Sequence, residues 1–518
     1  MKLRIITIVA ITFLAATACF SPLGGGSDTG SVSVEIPSAA ELRIGTSTLS
    51  ASAEEDEDLF ARVYLYKQGS RAGFGELPVS SDRPESLTIG GIAEGDDYRL
   101  VVTIGTKEGS YTFPEWFGTS GSEFRITGGG QTAVPVGMRE SPFYYGLRNQ
   151  AAKGVAIDED GALITATSST VYAFTPPDGT SRFVTPTASF SPDYTINSVD
   201  QGVDVGEEAP EPQDIAWISA QDRIAQPDFE GTDFIPGTRN SNIIPPNALD
   251  GSRNILSSLG YFDSDSGKVV AMFQIDGGLG GGAIDDANAW GDTGEGLKDV
   301  VSGQPLYQLS IANLSGSEGG LFATQLGAFF AEQEVFENND ADALTEAFLT
   351  ADNKSGLTFI DIVVSGESRE ISAMVARDSR IFIGTARGVF EVNDDDTVLQ
   401  DGTVNVDAGE AEVVSGTQGL RITNLDLFVD GNDRILAALS DDRLVVVDLS
   451  RGSTAVIPTV AGVPGDPALG KSNSGVKAMS LLGYYSGESL ENLFLSFAGD
   501  AGISVIDVSP TFFQSYGD

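Results

Sequence analysis

The sequence predicts an all-β protein: an N-terminal β-sandwich followed by a β-propeller of seven blades, with six and eight as the neighbouring counts. Two observations carry this. Between Ser31 and Arg139, short alternating segments are separated by Gly, Pro and Asp clusters, the strand-and-turn spacing of a small sandwich. From about Gly146 onward, a strand pair of one design recurs at intervals of roughly 40 to 65 residues, the period of a propeller blade. One such sheet cannot bury both of its faces, so neighbours must stack and the ring must close.

In the first region, Ser31 to Pro37 (SVSVEIP) alternates, Ala61 to Lys67 (ARVYLYK) puts Val63 and Leu65 on one face, and Tyr98 to Gly105 (YRLVVTIG) is rich in β-branched residues. Phe124 to Thr127 and Thr132 to Val136 close the set, which assigns residues 31–140 to the sandwich. In Leu87 to Val102 (LTIGGIAEGDDYRLVV), an apolar residue, a turn glycine and Tyr98 precede a central strand. This stretch resembles the tyrosine-corner region of fibronectin type III and related immunoglobulin-like domains. The resemblance implies that the Tyr98 hydroxyl bonds back to upstream backbone. A transthyretin-like or carboxypeptidase-regulatory-like sandwich reads almost the same way.

Residues 146–518 carry the repeats. Gly154 to Thr175 runs strand, turn, strand ending in small residues, turn, strand ending in an aromatic. Ile371 to Asn393, Ile422 to Ser450 and Val476 to Ser509 repeat that order, and weaker copies lie at Ile196 to Phe229, Arg253 to Gly277 and Pro305 to Gln333. Arg377 to Asn393 (RDSRIFIGTARGVFEVN) resembles the repeat of two-component-regulator-type propellers, with Asp378, Ile381, Ile383, Gly384, Thr385, Gly388, Val389 and Phe390 in the pattern positions. Isoleucine or phenylalanine stands where that family usually has tryptophan. The resemblance implies the fold and no signalling role. Because Ile503 to Ser509 is almost the end of the chain, a strand from near Phe143 to Leu147 is expected beside the last blade to close the ring.

The N-terminus has the order of a secretory signal over residues 1–18: Lys2 and Arg4, the apolar run Ile5 to Ala16, then Thr17 and Ala18. The run is shorter than the roughly 20 residues that a spanning helix needs. Small residues before Cys19, the only cysteine, resemble the lipobox of bacterial lipoproteins, with Ala16 where leucine is commonest. The resemblance implies acylation of Cys19 and cleavage just before it. Residues 19–30 then hold the lipidated cysteine and a Gly/Ser/Pro spacer, flexible by composition. Phe20, rather than an aspartate, is compatible with passage to an outer membrane.

Composition narrows the partners. The 518 residues contain 30 Lys+Arg against 74 Asp+Glu, a net charge of -44, which cleavage before Cys19 would take to -46. Such a surface repels nucleic-acid phosphates and anionic headgroups. A hydrophobic fraction of 41% argues against global disorder. The balance of many acids and few lysines also resembles proteins of salt-loving bacteria. There is no histidine, so a Ser-His-Asp or Cys-His arrangement is excluded, as are zinc sites built on imidazole.

Candidate sites are few. The Gly-rich segment Asp276 to Gly296 lacks the βαβ context of a dinucleotide fingerprint and reads as a long blade-connecting loop. Asp285, Asp286, Asp292 and Glu295 in it are candidate calcium ligands, because that ion takes several oxygens from a flexible loop. Asp263 and Asp265 in FDSDSG are a second fragment of such a pattern. The plainer reading of all six is turn residues bonding their own backbone. Trp116 and Trp290 are either exposed glycan or protein contacts or local packing, and packing is preferred. The acidic runs Glu54 to Asp58 and Asp394 to Asp396 read as solvated loops.

The expectation is a monomeric, membrane-tethered extracytoplasmic protein, at an outer membrane, periplasmic face or cell surface. Its propeller face would bind a protein or glycan of the envelope, and it would carry no catalytic residues and need no cofactor, with calcium as the one candidate ion. The rival is an envelope glycosidase or lyase using carboxylates in the propeller's central pocket, which needs a positioned pair. Buried axial carboxylates with raised pKa values would favour the enzyme.

Overall fold

The computed structural model describes residues 28–44 and 59–204 apart from a few turn positions. Between 213 and 332 it describes little beyond the strands, and from 357 to 517 all but the connections at 393–401, 459–465 and 468–475 and single hairpin turns. The chain is built from strands, as the alternation predicted.

Two sheets make the N-terminal sandwich. The smaller places Thr29–Ile36 between Glu85–Ala93, antiparallel, and Gln131–Ala133, parallel. The larger runs Ser70–Pro78, Leu59–Lys67, Gly95–Glu108 and Tyr111–Thr119, with Phe124–Ile126 and Gly137–Glu140 paired at its margins. Alternate residues of both meet between them: Val32, Val34 and Ile36 from one side, and Val63, Leu65, Leu100, Val102 and Ile104 from the other. Period-2 side-chain alternation delivers these residues to one face. The Tyr98 hydroxyl donates to the Ala93 carbonyl at 2.8 Å, the upstream bond expected of it. Sequence reading did not predict the strands Ser70–Pro78, Glu85–Ala93 and Tyr111–Thr119, nor the short helix Ala39–Ile44. That helix starts on a capping box: Glu41 N–H donates to Ser38 Oγ at 3.2 Å, and Glu41 accepts from the Ser38 N–H at 2.9 Å and the Ser38 hydroxyl at 3.0 Å.

Beyond residue 140, the described strands fall into seven mainly antiparallel groups, or sheets, in chain order, of which the second and third are joined by a short parallel pairing of Val203 and Asp204 with Tyr261 and Phe262. Sheet 1 spans Val155–Ile157 to Ala188–Phe190, sheet 2 Ile196–Asp204 to Asn242–Ile244, and sheet 3 Ile255–Asp263 to Gly278–Ile284. Sheet 4 spans Leu306–Leu314 to Leu357–Val364, sheet 5 Ile371–Arg377 to Ala411–Val413, and sheet 6 Ile422–Asp430 to Ser453–Ile457. Sheet 7 holds Val476–Ser486, Ser489–Gly499 and Gly502–Asp507, and its fourth strand is Phe143–Gly146, paired antiparallel with Gly502–Asp507. The expected closing strand is therefore in place. The first strand of each sheet lies against the first strand of the next, and that of sheet 7 against that of sheet 1, so the sheets form a ring, a β-propeller.

Specific contacts between the inner strands fix this ring. Gln201 of sheet 2 accepts from the Ile157 N–H at 2.9 Å and donates to the Ile157 carbonyl at 3.1 Å in sheet 1. Ser372 of sheet 5 donates to the Ile422 carbonyl at 2.6 Å, and Asp426 of sheet 6 accepts from Leu481 N–H at 2.6 Å. The Gly-Thr pattern of sheet 5 has a physical reason. A Cβ on Gly384 would sit 2.8 Å from Ile422 Cγ2 of the next sheet, while Thr385 Oγ1 accepts from the Arg387 N–H at 3.0 Å and so closes the turn.

One expectation is corrected. The Gly-rich segment is not all loop, because Gly278–Ile284 is a strand paired along its length with Lys268–Ile275. Gly280, Gly281 and Gly282 stand opposite Phe273, Met272 and Ala271 in register. The hydrogen-bonded ladder needs only backbone, so a low β-propensity did not prevent pairing with a strongly apolar neighbour strand.

Candidate functional site

A recess lies on the sandwich, lined by residues from Ser33 to Glu140. It is an open cleft of about 750 Å³ between Ser33 and Glu35 of the first strand, Glu41 and Leu42 of the capped helix, and the segment Ala133–Glu140. Buried Trp116 and Val134 form its floor. The size is that of a small-ligand cleft. Its rim is acidic, but two of its carboxylates are already engaged: Glu41 caps the helix and Glu140 pairs with Arg182 at 2.5 Å. Glu35 is exposed. The Trp116 indole N–H is buried without a partner, which is uncommon for a buried tryptophan. Packing, not exposure, is thus the role of Trp116, and Trp217 is likewise buried.

Glu140 also belongs to the junction behind the recess. Arg182, 4% exposed, enters from sheet 1 and donates to the carbonyls of Ser141 and, at 3.1 Å, Phe143. The Tyr145 hydroxyl donates to the Pro114 carbonyl of the sandwich at 2.8 Å, and its ring meets Phe113 edge-on at 5.3 Å. Arg148 pairs with Glu108 at 3.3 Å and lies 4.0 Å over the Phe183 ring. The helix Pro510–Tyr516 adds Tyr516, whose hydroxyl donates to the Glu140 carbonyl at 2.7 Å while its ring stacks on Phe117. Phe113 and Phe117 share one hydrophobic cluster with Phe143, Leu444, Leu495 and Phe512, so sandwich and propeller have a continuous core.

Burial governs the titration of this region. It pushes the Tyr516 phenol up to about 12, with Arg182 opposing and Glu140 assisting. It also raises Tyr144, again against Arg182. The Asp507 carboxyl is raised by burial, and the Ser509 backbone hydrogen bond works the other way. One oxygen of Asp507 is buried without a partner.

Cys19 lies outside the described residues, as do residues 1–18, Asp265, Asp285, Asp286, Trp290, Asp292, Glu295 and the two acidic runs. Asp263 ends a described strand, but its side chain is outside the description. Among the described residues, no group of three or more His, Cys, Asp or Glu side chains is placed to hold a metal ion, and no helix is long and apolar enough to cross a membrane. Sequence reasoning missed Glu140, Arg182 and Tyr516. Their partners are 42 and 376 positions away, so no local pattern marks them.

No protein-family model matches the chain, and no curated protein matches it. Among solved structures, it is similar to the extracellular domain of a proposed hybrid two-component system from B. thetaiotaomicron, at TM-score 0.41 and 10% identity over 81% of this chain and 50% of that one. It is also similar to the extracellular domain of a proposed one-component system of that organism, at TM-score 0.35 and 11% identity over 70% and 39%. A third match is the β-propeller domain of Cps50 (Swd1) from Myceliophteria thermophila, at TM-score 0.37 and 9% identity over 70% and 98%. The chain thus spans half or less of the length of the two bacterial structures.

Proposed function

We propose that the chain is a lipid-anchored binding or scaffolding protein of the cell envelope, extracytoplasmic, with Cys19 as the acylated residue and no catalytic machinery. An immunoglobulin-like sandwich and a seven-bladed propeller would together present a protein- or glycan-binding face. The observation that supports this most is the continuous core across the junction. A two-domain body without a hinge suits display of a surface at a fixed attitude. Strong negative charge directs the reading away from nucleic acid and anionic lipid surfaces as partners.

Intact mass and detergent partitioning of the full-length protein, wild type against Cys19→Ala, test the tether. The reading expects acyl mass and detergent partitioning in the wild type only. Two unmodified, water-soluble proteins would overturn it in favour of a secreted protein with a free ligand.

A further inference from the structure

We infer that the sandwich and the C-terminal helix together form a clasp over the seam where the propeller ring closes. The seam is the ladder of Phe143–Gly146 on Gly502–Asp507. Among the described residues, it is the one place in the ring where a sheet is completed by a strand from the start of the propeller segment. Four backbone pairs join these two strands, few for a joint on which closure depends.

The seam strand is held along both edges and from the sandwich. On its free edge, Tyr145 N–H donates to the Arg182 carbonyl at 2.8 Å and the Tyr145 carbonyl accepts from Val184 N–H at 2.9 Å. Above it, the sandwich strand Tyr111–Thr119 supplies the Pro114 carbonyl to the Tyr145 hydroxyl and the Glu115 carbonyl to Ser141 N–H, at 2.8 and 2.7 Å. Gly502 lets the seam close tightly, because a Cβ there would lie 2.5 Å from both the Gly146 and Leu147 carbonyl oxygens.

The last residues lock the arrangement. Ser509 is extended and Pro510 opens the helix, so the chain turns away from the seam strand immediately after Asp507. Phe512 is buried in the joint core. Tyr516 reaches Phe117 and the Glu140 carbonyl, and Gly517 bridges to Ala455 of sheet 6. The helix therefore ties together the sandwich, the segment leading to the seam strand, and the neighbouring sheet.

Hydrogen exchange of the full-length protein tests this, comparing wild type, Tyr516→Ala and Tyr516→Phe. The clasp expects Tyr516→Ala to speed exchange at least about tenfold in Phe143–Gly146 and Gly502–Asp507, with Leu444–Asp448 of sheet 6 unchanged. Tyr516→Phe keeps the ring and loses the hydroxyl, so its effect at the seam is smaller. Equal acceleration in both regions, meaning loss of global stability, overturns the clasp. So does no acceleration at the seam.

Discussion

The Tyr98 hydroxyl and the Ala93 carbonyl are joined at 2.8 Å across five residues, inside the sandwich, where Tyr98 is 1% exposed. The bond ties the start of the central strand to the end of the strand before it. Tyr98→Phe leaves the carbonyl without its donor and is expected to cost about 1–2 kcal/mol. Chemical denaturation should show a lower midpoint and an unchanged slope.

Arg62 is fully buried and bonds Glu76 at 2.7 Å, while Lys107 holds the other oxygen at 2.9 Å. Burial raises the Glu76 carboxyl, but the hydrogen bonds and charges of Lys107 and Arg62 together outweigh it and leave it below the ordinary 4.5. A lowered value means that this contribution is complete above the ordinary value and lost as pH falls through the lowered one. Glu76→Gln should destabilise by about 2 kcal/mol at pH 7. The gap from wild type should shrink in melts run progressively below pH 4.5.

Asp507 has the opposite sign. Its raised carboxyl prefers to be neutral in the folded protein, so it favours folding in acid and opposes it once pH passes the raised value. Asp507→Asn is expected to stabilise by about 0.5–1 kcal/mol at pH 7, discounted for partial exposure, with no gain at pH 3. A loss of stability at pH 7 would contradict this.

Tyr516, at about 12, keeps its full contribution below pH 10 and loses it between 10 and 12. Phenolate absorbance should report late-titrating tyrosines, Tyr144 and Tyr516 among them, and one fewer in Tyr516→Phe.

Gly154 lies so close to sheet 2 that an added Cβ would run into the Val199 carbonyl oxygen. Backbone cannot swing aside as a side chain can. Gly154→Ala should therefore cost about 3 kcal/mol, measurable as a lower melting temperature.

Sequence pattern exposed whatever depends on short range. The recurring strand pairs, the place of Tyr98 and the closing strand near Phe143 are all readable from alternation, turns and the position of the chain's end. The Ser38-x-x-Glu41 capping box was equally readable, and its helix was still not predicted. The strand Ser70–Pro78 was hidden because Gly73 and Gly75 interrupt its alternation. The junction was hidden for a different reason: Arg182, Glu140 and Tyr516 come together only once the ring is closed.

A ring sealed by strands from the two ends of the propeller segment also sets an order of events during synthesis. Phe143–Gly146 emerges early and must wait for Gly502–Asp507, with its pairing edge open while six sheets assemble. Most of the sandwich precedes the propeller in the chain, although Asp466–Pro467 joins its larger sheet late, and it gives that strand a surface to rest on meanwhile. A chain that emerges N-terminus first would then have this open edge covered by its own leading domain.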